Sequence, residues 1–116
     1  VSSAASDVYK RQDLSDRGML DDTLLIAMGE FGRTPKISNR AAREHHKDCY
    51  FSIWAGGGIE PGRVIGESDA KAEHPITRPI TPLQVGTTIA ELCGIGARKR
   101  AEMKVLDGGS VIHELI

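Results

Sequence analysis

Asp22-Thr-Leu-Leu-Ile-Ala-Met-Gly-Glu-Phe-Gly-Arg-Thr-Pro35 is an apolar run that stops at a carboxylate set between two glycines. Leu24 to Met28 are consecutive apolar residues bounded by polar ones, the pattern of a strand covered on both faces of a sheet. Glu30 falls just past the carboxyl end of that strand. Open α/β sheets bind ligands at the carboxyl ends of their strands, so Gly29-Glu-Phe-Gly-Arg33 is placed for chemistry more than for packing. A second polar cluster, Arg43-Glu-His-His-Lys-Asp48, directly precedes another apolar run, Cys49 to Ala55, read as a second buried strand. Two polar clusters therefore flank two core strands.

The elements around them follow from local signals. Asp13 to Leu20 reads as the end of a polar helical segment closed by Gly18 or by the Leu-Asp-Asp turn. Gly29 to Asp48 reads as a long connection of the kind that carries function in compact domains. Gly56-Gly-Gly58 is a turn whose glycines permit backbone angles closed to other residues, Arg63 to Gly66 a short third strand, and Glu67 to Pro79 a loop. The clearest helix runs from Thr81 to Cys93, with Thr81 as N-cap, Pro82 at the first helical position and a stripe of Val85, Ile89, Leu92 and Cys93. Gly94 or Gly96 ends it. Ala97 to Lys104 is cationic and expected on the surface, and 105–112 is a short strand or turn. The order of elements is that of an α/β fold.

At 116 residues, with 40% hydrophobic and 27% charged residues, the chain has the composition of one ordinary globular domain. Its fifteen basic and sixteen acidic side chains leave a net charge of −1, which makes no electrostatic case for nucleic acid or an anionic membrane. No apolar run approaches the roughly eighteen residues of a membrane-spanning helix. Cys49 and Cys93 sit in apolar segments and read as buried free thiols, although spacing alone also permits a disulfide. Val1 to Gln12, VSSAASDVYKRQ, has neither an initiator Met nor the apolar centre of a secretory signal. It resembles a sequencing remnant read as protein, so disorder is expected there and native sequence from near Asp13, with the amino-terminal part of the domain missing.

Glu30 and His45 are the candidate metal ligands, since a carboxylate and an imidazole at the ends of neighbouring strands suit a divalent cation such as zinc, or calcium or magnesium. The plainer alternative makes Glu30 a cap on loop amides and His45 a surface residue. His46 competes with His45, and Glu44 or Asp48 can orient a liganding imidazole. Lys47 is simply solvated. Arg33 offers a planar, permanently charged fork for phosphate or sulfate, or else a salt bridge to a nearby carboxylate. The glycines at 56–58 lack the Lys-Ser or Lys-Thr and the following helix of a nucleotide loop. His74 and His113 read as exposed residues without partners, Ser52 and Ser110 lack a nucleophile-elbow setting, and Cys49 reads as packed, not reactive.

Leu20-Asp-Asp-Thr-Leu24, Met28-Gly-Glu-Phe-Gly-Arg-Thr-Pro35, Arg43-Glu-His45, Ala55-Gly-Gly-Gly-Ile59, Arg78-Pro-Ile-Thr-Pro82 and Leu106-Asp-Gly-Gly109 together resemble the carboxyl-terminal part of an uncharacterised bacterial sulfatase-like family, domain of unknown function 1501. The resemblance covers nearly everything from Asp13 to Ile116. It implies part of an alkaline phosphatase-like α/β/α sandwich with a metal site at the carboxyl ends of strands. In that superfamily a strand ending in Asp-His-Gly supplies two ligands and a later His another; Glu30 and Phe31 fall at the first two positions and His45 at the third. Phenylalanine cannot ligate a cation, so a two-metal centre is not implied. Glu44-His45-His46 stands where the family has Asp-His-Trp, and Leu106-Asp-Gly-Gly-Ser110 is similar to a carboxyl-terminal sulfatase turn. The implied activity is hydrolysis of a phosphate or sulfate ester, on a small molecule or a glycan, by an extracytoplasmic protein. Its nucleophile belongs to a preceding portion, so these residues alone are expected to be inactive. The alternative is a non-catalytic module on the same fold that binds an anion, a glycan or a partner.

Overall fold

The computed structural model describes residues 3–116, with side chains from Tyr9 onward. It is a mixture of helices and small sheets. Helix α1 spans Ser3–Asp16 and is followed by four short strands, β1 (Leu25–Met28), β2 (Gly32–Arg33), β3 (His45–His46) and β4 (Ser52–Ala55). Helices α2 (Pro82–Leu92) and α3 (Ala97–Met103) and a 3-10 turn at His113–Leu115 complete the order. Strands β1 and β4 form one two-stranded sheet and β2 and β3 another. The leader expected over residues 1–12 lies partly outside the described residues, and where disorder is expected its described part is helical within α1.

The chain divides into two compact units. The first comprises the described residues up to Leu25 with Ala55–Arg63 and Ile80–Ile116. Here α1 closes as expected at Gly18, which takes φ of +66°, while the Met19 amide reaches back to the Leu14 carbonyl at 2.8 Å. Helix α2 starts where the sequence predicts. Thr81 Oγ1 accepts from the Gln84 amide at 3.2 Å, and Gln84 Oε1 accepts from the Thr81 amide at 3.1 Å, a reciprocal capping box with Pro82 behind it. Its buried face differs from the apolar stripe. Gln84, Thr87 and Thr88 are the buried residues, whereas Val85, Ile89 and Leu92 are half-buried and Cys93 is exposed.

The carboxyl-terminal segment explains this. Residues 106–112 lie along the Thr side of α2, where the Thr88 hydroxyl accepts the Ile112 amide at 2.9 Å and itself donates to the Gln84 carbonyl at 2.8 Å. Ile112 is 1% exposed and fills the space between them. Buried hydroxyls are inexpensive here because each has a partner. Of the strand or turn expected at 105–112, the structure has the turn, feeding the 3-10 turn. Gly56 is fixed by a close approach: its φ is +68°, and a Cβ there would run into the carbonyls of Leu20 and Thr23. In the cationic stretch, now α3, Arg100 is buried against expectation, bonded to the Glu91 carboxylate and the Ile95 carbonyl, so its charge is paired as burial requires.

The second unit comprises Ile26–Trp54 and Val64–Pro79. Its strands are shorter than the apolar runs suggest, and they are not covered on both faces: Met28 is 48% exposed, Ile53 59% and Phe51 77%. Nothing in these residues supplies the further strands and helices that bury a sheet on two sides. Arg63 to Gly66 is extended loop, not a third strand, and the connection from 29 to 48 contains the β2–β3 ladder. Cys49 is half-buried and Cys93 exposed, and both are free, so burial fails for the second thiol.

Candidate functional site

Gly32 makes the local geometry possible. A Cβ on it would collide with the Cys49 carbonyl and lie 3.0 Å from Tyr50 Cβ, so β2 can pass this close only without a side chain. In the antiparallel ladder Gly32 pairs with His46 and Arg33 with His45. The Thr34 amide extends the ladder to the Glu44 carbonyl at 3.0 Å, and the Glu44 amide donates to Thr34 Oγ1 at 3.1 Å. Arg43 pins the turn by donating from one guanidinium nitrogen to the carbonyls of Thr34 and Pro35.

Register then decides what the two histidines do. Neighbours in a strand point to opposite faces, so His45 and His46 cannot serve one cluster. The His45 imidazole packs on the Phe31 ring, with centroids 3.7 Å apart and planes tilted by 34°. The Arg33 guanidinium lies over the same ring, 5.4 Å from its centroid, and donates weakly to the Arg43 carbonyl at 3.4 Å. Phe31 thus collects an imidazole and a cation. Among the described residues Arg33 has no carboxylate partner, which removes the salt-bridge alternative within this unit. A contact through the ring face leaves the nitrogens of His45 at the edge of the imidazole, outside the contact.

His46 is half-buried on the other side of the ladder, its Nε2 2.9 Å from the Glu73 carbonyl. Since a carbonyl only accepts, Nε2 is the donor. Glu30 is exposed just past the end of β1, next to Phe31 in the chain, and Glu44 is exposed. Among the described residues no three His, Cys, Asp or Glu side chains gather as a metal centre, so Glu30 and His45 stand as two separate donors of the right chemical type. Asp48, considered as an orienting group, is held by Lys47; this hydrogen bond chiefly sets its carboxyl below the usual value of 3.8, with His46 and His74 adding smaller favourable charge effects. Lys47 is therefore paired as well as solvated.

Two features escape sequence reasoning. Phe31 has no ligating atom, and its part as the platform for Arg33 and His45 emerges only from the packing. His74 is exposed as expected but lines an open pocket of about 360 Å³ with Thr34, Pro35, Lys36, His46 and Glu73. Nothing in spacing signals that grouping, because Glu73 follows His46 by twenty-seven residues.

A family model described as a protein of unknown function (DUF1501) matches residues 8–116, and the chain belongs to that family. Comparison with curated proteins and with solved structures gives no match.

Proposed function

We propose that this member of the DUF1501 family contributes an oxyanion-recognising edge to a sulfatase-like hydrolase of phosphate or sulfate esters, built on an alkaline phosphatase-like α/β/α sandwich. The observation that carries the reading is the gathering of Arg33 and His45 on Phe31, with the Arg33 charge uncompensated by any carboxylate among the described residues. A guanidinium has the planar fork that matches two oxygens of a phosphate or sulfate, and ring contact limits its motion before the anion arrives. His45 stands across the ladder from it as a proton donor or acceptor, or as a nitrogen ligand.

Glu30 and His45 are the donors that would hold a divalent cation, which when bound polarises an ester oxygen. They are two where a zinc site takes three or four, so the remaining donors and the nucleophile are assigned to a preceding portion of the intact protein. The second reading, an anion-binding module without turnover, is favoured by Phe31: an apolar ring occupies the centre of the cluster.

Ester hydrolysis by the intact protein separates the two. With p-nitrophenyl sulfate and phosphate as probes, the hydrolase reading expects turnover that Arg33→Ala lowers at least tenfold. Zinc titration expects His45→Ala to weaken metal binding tenfold or more and His46→Ala to change it little, the loss of a direct ligand costing no less than loss of the group behind it. Binding of sulfate without turnover favours the module. Equal sulfate binding in Arg33→Ala and the unaltered protein refutes both.

A further inference from the structure

We infer that the open pocket on the His46 side of the ladder is a second, separate small-ligand site that takes a phosphate or sulfate group, free or carried on a small ester, through Lys36 and His74. Its volume of about 360 Å³ fits a small ligand, and all its lining residues belong to one compact unit. Its walls are prepared in advance. On one side, Thr34 Oγ1 donates to the Lys36 carbonyl at 2.9 Å while accepting the Glu44 amide. On the other, the Asp69 carboxylate accepts the amides of Lys71, Glu73 and His74 at 2.9, 2.9 and 3.0 Å, and the Asp69 amide reaches the His74 carbonyl at 2.9 Å. The bond from His46 Nε2 to the Glu73 carbonyl ties the two walls together.

The chemistry of the pocket is shown by its own occupant. Lys36 Nζ holds the Glu73 carboxylate at 3.3 Å, so an internal anion already sits where an external one would bind. That pair is exposed on the Lys36 side, and exposed pairs are weak enough for a doubly charged oxyanion to displace. Once it does, Lys36 supplies the charge, and His74 and His46 line the same space. Asp48, which feels the charges of His46 and His74, is already engaged by Lys47, and Asp69, which feels that of His74, by the amides of Lys71, Glu73 and His74, so neither is paired with Lys36. Pro35 adds an apolar wall for the body of an ester.

The experiment is a site-resolved NMR titration of the full chain with inorganic phosphate and, separately, with glucose 6-phosphate. Saturable shifts are expected at Lys36, His46 and His74. Lys36→Ala should weaken binding at least fivefold, and Glu73→Gln, which removes the internal competitor, should strengthen it about two- to fivefold. Arg33→Ala should leave these shifts unchanged, which separates this site from the Phe31 cluster: either can fail while the other stands. Tighter binding of the sugar phosphate assigns an ester as the natural source, and tighter binding of the free ion assigns the ion. Shifts confined to Arg33 and His45, indifference to Lys36→Ala, weaker binding in Glu73→Gln, or saturation by neither probe would each overturn the inference.

Discussion

Replacing Phe31 with Leu removes the ring and keeps most of the apolar bulk, so it isolates what the ring does for its neighbours. The His45 contact, with centroids 3.7 Å apart, belongs to a class worth about 0.5–1.5 kcal/mol beyond simple burial. The Arg33 contact, 5.4 Å from the ring centroid on an exposed side chain, adds about 0.5–1 kcal/mol. Taking the lower part of each range, because both partners face solvent, Phe31→Leu should cost the β2–β3 ladder about 1–2 kcal/mol. The ladder has two residue pairs and no large core of its own, so the loss should appear as local opening. Native-state hydrogen exchange at the Thr34 and Glu44 amides should then accelerate by a factor of roughly 5–30. A double-mutant cycle between Phe31→Leu and His45→Ala should return a coupling of about 0.5 kcal/mol or more. Unchanged exchange together with a coupling below about 0.3 kcal/mol, the scatter of independent sites, would refute the platform role.

Other outcomes follow from the same geometry. Gly32→Ala should break the ladder, since the new methyl meets the Cys49 backbone and no flexible side chain can yield; proton NMR should show the His45 and Phe31 ring shifts moving together toward unstructured values. Thr81→Ala removes the hydroxyl half of the capping box and should lower the stability of α2 by about 1 kcal/mol in chemical denaturation, with Thr81→Asn recovering most of it. The Asp69 carboxyl is held below its usual value of 3.8, first by the Glu73 amide and then by those of Lys71 and His74, with desolvation opposing them. Its contribution to the 67–77 loop is therefore fully present above 3.8 and is lost as pH falls through the lower folded value. The protection factors of the Lys71, Glu73 and His74 amides, taken relative to intrinsic exchange at each pH, should fall on acidification in the natural chain, and Asp69→Asn should show weak protection with no acid step.

Some of this molecule is legible in short windows of sequence. Thr81, Pro82 and Gln84 lie within four residues of one another, and together they start α2 where predicted. Gly18 closes α1 and Gly56 makes its turn because each needs a positive φ that other residues resist. The apolar runs mark β1 and β4 but overstate their length and cover. A run of hydrophobic residues records what a complete sheet would bury, whereas the ladder forms only where a neighbour is in register. The buried face of α2 shows the opposite failure. Thr87 and Thr88 look like solvent residues until the 106–112 segment packs on them, Gly109 against Thr87 and the Ile112 amide on the Thr88 hydroxyl, and no pattern inside the helix foretells it.

The candidate site divides along the same line. Arg33 and His45 can be picked out by chemical type, since a guanidinium and an imidazole near strand ends suit oxyanions and metals whatever surrounds them. What surrounds them depends on register and on chain crossings. The pairing of Arg33 with His45 puts one histidine on Phe31 and turns the next one, His46, toward a carbonyl twenty-seven residues away. Sequence by itself therefore determined the family, the start of α2, the close of α1 and the kinds of side chain available for chemistry, because backbone preferences and side-chain functional groups act over a few residues. Only the tertiary structure decided which histidine joins Arg33, that Phe31 is their platform, and that Arg100 is buried. Those outcomes rest on contacts between segments far apart in the chain, whose closing depends on the whole packed arrangement and leaves no periodic trace in either segment.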